Sequence, residues 1–117
     1  MTRQIDIQLF TQTTGGVEIL AAVGQAFLIQ LVPWRLAMEK HTERFDATEL
    51  TNLVHRMKGS CHVLAAPVAA AEFEAAEQHL KGMNAVNWRP DYQRLQALTQ
   101  EIEADLQQVM LSQTKQQ

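Results

Sequence analysis

The stretch TNLVHRMKGSCHVLAA, Thr51 to Ala66, sets a histidine beside basic side chains, a glycine and a serine within what reads as one helix. Glycine is the poorest ordinary residue for a helix interior, about 1 kcal/mol worse than alanine. At roughly 100° per residue, Leu53, Val54, Met57, Cys61 and Leu64 fall within about 60° of Leu50 and form an apolar stripe. On the same wheel His55 lies at about 140°, His62 at about 120°, Thr51 near ~100°, Lys58 near ~80° and Gly59 at about 180°. The histidine therefore points away from the core. Lys58 and Gly59 are its neighbours one turn along, at spacings of three and four residues.

That placement has a chemical logic. An exposed neutral imidazole is a competent nucleophile near neutral pH, because a free histidine side chain titrates near ~6.5. A lysine ammonium one turn away can neutralise a phosphoryl group carried on the ring, acting as a point charge. The bare backbone at Gly59 leaves clearance for a macromolecular partner.

Outward from this helix, the remaining chain reads as helices with short breaks, without internal repeats or strand alternation. Asp46 can cap the central helix, Glu49 can reach back to close a capping box, and Phe45 and Leu50 stand where a hydrophobic staple belongs. The helix should run from Ala47 to about Ala65. Upstream, a short helix is expected over residues 4–11, closed by TQTTGG. Val17, Leu20, Gly24, Phe27, Leu28 and Leu31 then recur at helical spacing, with a kink or restart at Pro33 and an end near Thr42. Downstream, Pro67 suits the first turn of a fourth helix and Gly82 its stop. Trp88, Tyr92, Leu95, Leu98 or Thr99, Ile102, Leu106 and Val109 form one stripe, predicting a last helix over roughly residues 90–111 and a frayed tail over 112–117. Short connections between long amphipathic helices imply an all-α, antiparallel four-helix bundle with a short extra N-terminal helix.

Composition narrows the function classes. The 117 residues suffice for one domain with a real core, spanning residues 1–117. A net charge of −3 and scattered basic residues argue against nucleic acid as a partner. One cysteine, Cys61, suits a reducing compartment and, on the apolar stripe, reads as a small hydrophobe. The apolar run over 17–32 is short of a membrane span and carries Glu18, Gln25 and Gln30, so a buried helix without direct membrane contact is expected. His55 and His62 are about 10.5 Å apart along the helix, too far to share a metal, and no metal site is expected. His41 and His79 read as structural or solvated. There is no phosphate-binding loop, nucleotide fingerprint or paired acidic cluster for magnesium, so the chain has no ATP site of its own.

The run HRMKGS, His55 to Ser60, resembles the H-x-L/I/M-K-G-S/A core of histidine-containing phosphotransfer (HPt) domains. Phe27 and Pro33 upstream and Glu77 downstream extend the similarity over residues 17–82, and the last helix fits by length and periodicity. The sequence departs from the family pattern at Ala65, where a glycine is usual, and at Ala69, Glu72 and Ala76, where leucines are common. His62 is also bulkier than the residue often found on that face. These departures bear on partner specificity.

The resemblance implies a phosphorelay role in two-component signalling. His55, at Nε2, would accept a phosphoryl group from a receiver-domain aspartate of a response regulator and pass it to another. Lys58 would steady the phosphoryl charge. Gly59, Arg56, Thr51, Ser60 and His62 would form the receiver docking face. No cofactor is expected in the domain itself, and Mg2+ is expected in the receiver partner. As an isolated domain the chain is expected to be a cytoplasmic monomer, free-standing or cut from a hybrid sensor kinase. The alternative from another class is a helical protein-interaction module that never carries phosphate.

Overall fold

The computed structural model describes residues 4–82 and 84–115. Five helices follow one another: α1 (Ile7–Thr13), α2 (Val17–Glu43), α3 (Ala47–Val63), α4 (Pro67–His79) and α5 (Ala85–Lys115). Helices α2 to α5 make a closed cycle in which each packs on the next and α5 returns to α2. This is an antiparallel four-helix bundle with α1 added at one end. The core joins Leu31, Leu53, Met57, Phe73, Leu98 and Ile102, drawn from all four long helices. A smaller cluster of Phe10, Leu20, Ala65 and Val109 seats α1.

The junctions around α3 explain its position. At the end of α2, Phe45 takes the left-handed conformation (φ +44°), so its amide reaches the Thr42 carbonyl at 3.1 Å and the Asp46 amide reaches His41 at 2.9 Å. This pair of bonds is a Schellman stop. The Asp46 carboxylate then accepts from the Glu49 amide at 3.1 Å, starting α3 after a three-residue break. The expected return arm of a capping box is superfluous, since the Asp46 amide is already bonded. Glu49 instead lies 4.0 Å from His41 Nε2. At the far end of α3 the same stop recurs: Ala65 donates to His62 at 3.0 Å and Ala66 to Cys61 at 2.9 Å, with Ala65 at φ +58°. Helix α3 thus ends at Val63, two residues before the predicted end. Pro67 opens α4 and Gly82 (φ +83°) lies just beyond its end, as expected from sequence.

Other boundaries move for identifiable reasons. Asp6 caps α1 through the Leu9 amide at 3.0 Å, so that helix occupies 7–13 rather than 4–11. Helix α2 continues past Pro33 without a break, and the carbonyl that loses its ladder bond to the proline, that of Ile29, lies on an exposed face. At 27 residues, with a mean hydropathy of 1.5 over its most apolar stretch, α2 is long and apolar enough to cross a membrane by length and composition alone, contrary to the shorter reading. In the bundle it buries Leu20, Gly24, Phe27, Leu31, Trp34 and Met38. Helix α5 begins at Ala85, five residues early, because Asn84 caps it through the Asn87 amide at 2.9 Å. Pro90, the sixth residue of α5, lies past the first turn and removes the ladder bond that an amide there would make to the Val86 carbonyl. The same helix continues through Ser112–Lys115 where a frayed tail was expected, and Gln116 and Gln117 lie outside the described residues.

Candidate functional site

Because Leu50, Leu53, Val54, Met57 and Cys61 are buried, the opposite side of α3 faces solvent and carries His55. The His55 side chain is 66% exposed. Helix α4 packs beside it on a small-residue face, Ala69, Ala70 and Ala76, and presents two carboxylates one turn apart. Glu77 Oε1 lies 2.7 Å from His55 Nδ1. Its other oxygen accepts from Lys58 Nζ at 3.0 Å, and Lys58 also donates to Glu74 Oε2 at 2.5 Å. His55, Glu77, Lys58 and Glu74 therefore form one continuous network between α3 and α4.

The charges in the network reinforce one another. Burial pushes the Glu77 carboxyl up, but hydrogen bonds from Lys58 and His55 outweigh it and hold the group below its ordinary value of 4.5. The Lys58 hydrogen bond likewise lowers Glu74, and the bonds to Glu74 and Glu77 raise Lys58 above 10.5. An ionised carboxylate only accepts. Nδ1 of His55 must therefore carry the proton it shares with Glu77, and in the neutral ring Nε2 holds the free lone pair. The contact thus favours one tautomer, with the lone pair on the ring nitrogen that does not face Glu77.

The opposite flank of His55 is a groove between α2 and α3 of about 630 Å³, lined by Val23, Ala26, Phe27, Gln30, Trp34, Arg56, Gly59, Ser60, Val63 and Leu64. Phe27 and Trp34 meet edge to face at its floor, with ring centroids 5.7 Å apart. A Cβ built on Gly59 would meet nothing within 4 Å, so packing inside the chain does not require glycine there.

The residues named from sequence divide by position. Arg56, Gly59 and Ser60 border the groove, and His62 is exposed one turn further along α3. Thr51 is half-buried and spends its hydroxyl on the Ala47 carbonyl at 2.7 Å. Lys58 leans towards α4 and away from the groove. Cys61 is buried, and burial pushes its thiol up to about 12. His79 Nδ1 lies 3.1 Å from Asp91 on α5, and among the described residues no group of three or more histidine, cysteine, aspartate or glutamate side chains could hold a metal ion. The network's acidic half was not assigned a role from sequence. Its signal is a charged residue on an apolar stripe, since Glu77 follows Phe73 by four and precedes Leu80 by three.

A family model described as Hpt domain matches residues 17–109. The chain belongs to the Hpt domain family. No curated protein and no solved structure matches it. The match runs from the first residue of α2 to Val109 in α5 and leaves α1 outside. Hpt domains act in histidine phosphotransfer within two-component phosphorelays and interact with receiver domains. In this Hpt domain Arg56, Gly59 and Ser60 of the motif border the groove, His55 is exposed one turn before Gly59, and Met57 faces the core.

Proposed function

We propose that His55 is the phosphoryl carrier of this Hpt domain, taking the group on Nε2 from the aspartyl phosphate of one receiver domain and giving it to the aspartate of another. The observation that carries the reading is the 2.7 Å contact between His55 Nδ1 and Glu77. It presents Nε2 as the lone-pair nitrogen, and it sets a carboxylate against the positive charge that grows on the ring as the N–P bond forms. The acyl-phosphate P–O bond breaks with the electron pair leaving on the aspartate carboxylate, and the Nδ1 proton stays between ring and Glu77. The reverse step delivers the group onward.

Lys58 supplies positive charge beside the phosphoryl group. Gly59, Arg56, Ser60, His62 and Thr51 belong to the docking face, with Gly59 clearing the approach. Magnesium belongs to the receiver, and the domain itself uses no cofactor. The partners are receiver domains rather than nucleic acid or membrane, and the isolated domain works as a cytoplasmic monomer.

The test is incubation with a phosphorylated receiver domain. Wild-type protein should gain an acid-labile, base-stable label, and His55→Gln should fold normally and gain none. Full labelling of His55→Gln would remove the assignment. A folded wild-type protein that accepts no label would leave the helical interaction module as the better reading. His62→Gln should keep the label and change its rate at most.

A further inference from the structure

The Lys58 ammonium has three N–H donors and no acceptor. Two carboxylates on α4 take it, Glu77 at 3.0 Å and Glu74 at 2.5 Å. Their situations differ. Glu77 is 12% exposed and bonded to His55, so it serves the imidazole directly. Glu74 is 46% exposed, and its hydrogen bonds run to Lys58 and away from the site: Oε1 accepts from Gln78 Nε2 at 3.1 Å, and Gln78 Oε1 accepts from Lys81 Nζ at 3.2 Å. Glu74 is thus a braced carboxylate that meets the site through Lys58.

A phosphoryl group on Nε2 adds roughly two negative charges to a ring that is linked to this ammonium through Glu77. Lys58 must then divide itself between the phosphoryl oxygens and the α4 carboxylates. We propose that Glu74 is a positioning residue that restrains Lys58 from the phosphoryl group and so keeps the phosphohistidine of this domain high in transfer potential. The proposal rests on the reading of His55 as the phosphoryl carrier. Chemically, one bond is exchanged for another: the aspartyl P–O bond breaks as N–P forms, and the return step reverses this with no other reactant. The direction of net transfer therefore follows the relative stability of the two phosphorylated species. An ammonium free to close on the phosphohistidine would stabilise it and hold the group back from the next receiver. Glu74 opposes that closure.

The equilibrium constant isolates the effect. In dilute solution it depends on the free Hpt domain and receiver, each with and without phosphate, and a change in docking alters both rates while leaving it untouched. The full chain is labelled with phosphoramidate, mixed with a receiver domain and Mg2+, and followed until the ratio of phospho-Hpt to phospho-receiver is constant. Glu74→Gln, which keeps shape and loses the ion pair, should move that ratio about twofold to fivefold towards phospho-Hpt, the range expected of a partly exposed ion pair. Lys58→Met and the Lys58→Met/Glu74→Gln double variant should share one ratio, because the effect runs through the lysine. An unchanged ratio in Glu74→Gln, or a shift towards phospho-receiver, would overturn the proposal. A shift of equal size in the Lys58→Met background would also overturn it, since Glu74 would then act as a bare charge. Failure of wild-type protein to be labelled at His55 would be a different result, striking the phosphotransfer reading itself.

Discussion

At Gly59 the demand of folding and that of the proposed docking separate cleanly. A side chain there meets no packing partner, and glutamine is the better helix former, so Gly59→Gln should leave the melting temperature unchanged or raise stability by a few tenths to about 1 kcal/mol. The same side chain would stand beside His55 and displace a docked receiver, where a shift of about 1 Å can cost on the order of a hundredfold in rate. Labelling by phosphoramidate, which needs no docked partner, should suffer less, and stopped-flow transfer beside a thermal melt checks both halves. Ala65 presents the opposite case, a side chain held at φ +58° and fully buried. Relieving left-handed strain is worth roughly 1–2 kcal/mol and losing one buried methyl costs about 0.8, so Ala65→Gly should fall within about 1 kcal/mol of wild type. Ala65→Val adds a branched side chain to both constraints and should lose about 2 kcal/mol or more in urea unfolding. Sequence marked both positions, one as an exposed glycine and the other as an alanine in a glycine's place. It left Glu77 without a role, because the register of α4 against α3 depends on the backbone path through Leu64–Ala66, which side-chain periodicity does not encode.

Between elements, α3 and α4 are clasped by ions. Glu74 and Glu77 are held below the ordinary carboxylate value of 4.5, so their contribution is fully present above that value and is lost as pH falls through their lower folded values. Lys58 is raised above 10.5, so its contribution is full below that pH and fades as pH rises through its higher folded value. The clasp is therefore complete from about pH 4.5 to about 10.5. Urea midpoints for wild type should drop on acidification from pH 6 to pH 3 by more than those of Lys58→Met, and equal slopes would show that the clasp does not couple to folding. Helix α2 approaches α5 through Gly24, where a Cβ would lie 2.9 Å from Leu106 Cδ2. Gly24→Leu should overpack this crossing and cost about 1–3 kcal/mol, read from the same urea curves. The number and order of helices were legible because stripes, caps and prolines agree over most of the chain. The start of α5 lies upstream of the expected residue 90 because the Asn84 cap opens the helix at Ala85, and a proline is a louder sequence signal than a single asparagine.

Over the whole molecule, α1 is tied to parts of the chain far away in sequence. Ile5 donates its amide to Asp105 at 2.8 Å, Asp6 donates to the Ala65 carbonyl at 2.8 Å, and the Thr14 hydroxyl donates to the Val63 carbonyl at 2.7 Å. The sequence pattern pointed to a short first helix but not to its seat, because Phe10, Leu20, Ala65 and Val109 share no periodicity until the bundle brings them together. The two tryptophans now acquire a separate use. Trp88 is fully buried and donates its indole N–H to Thr42 at 3.0 Å, whereas Trp34 lies at the floor of the groove beside Gly59 and Arg56. One indole is thus an internal standard and the other an optical sensor of the proposed docking face. Adding a receiver domain should change the emission of a Trp88→Phe variant, in which Trp34 alone reports, and leave that of Trp34→Phe nearly constant. Titration of the first signal would yield the affinity of the encounter without any label, phosphate or engineered dye.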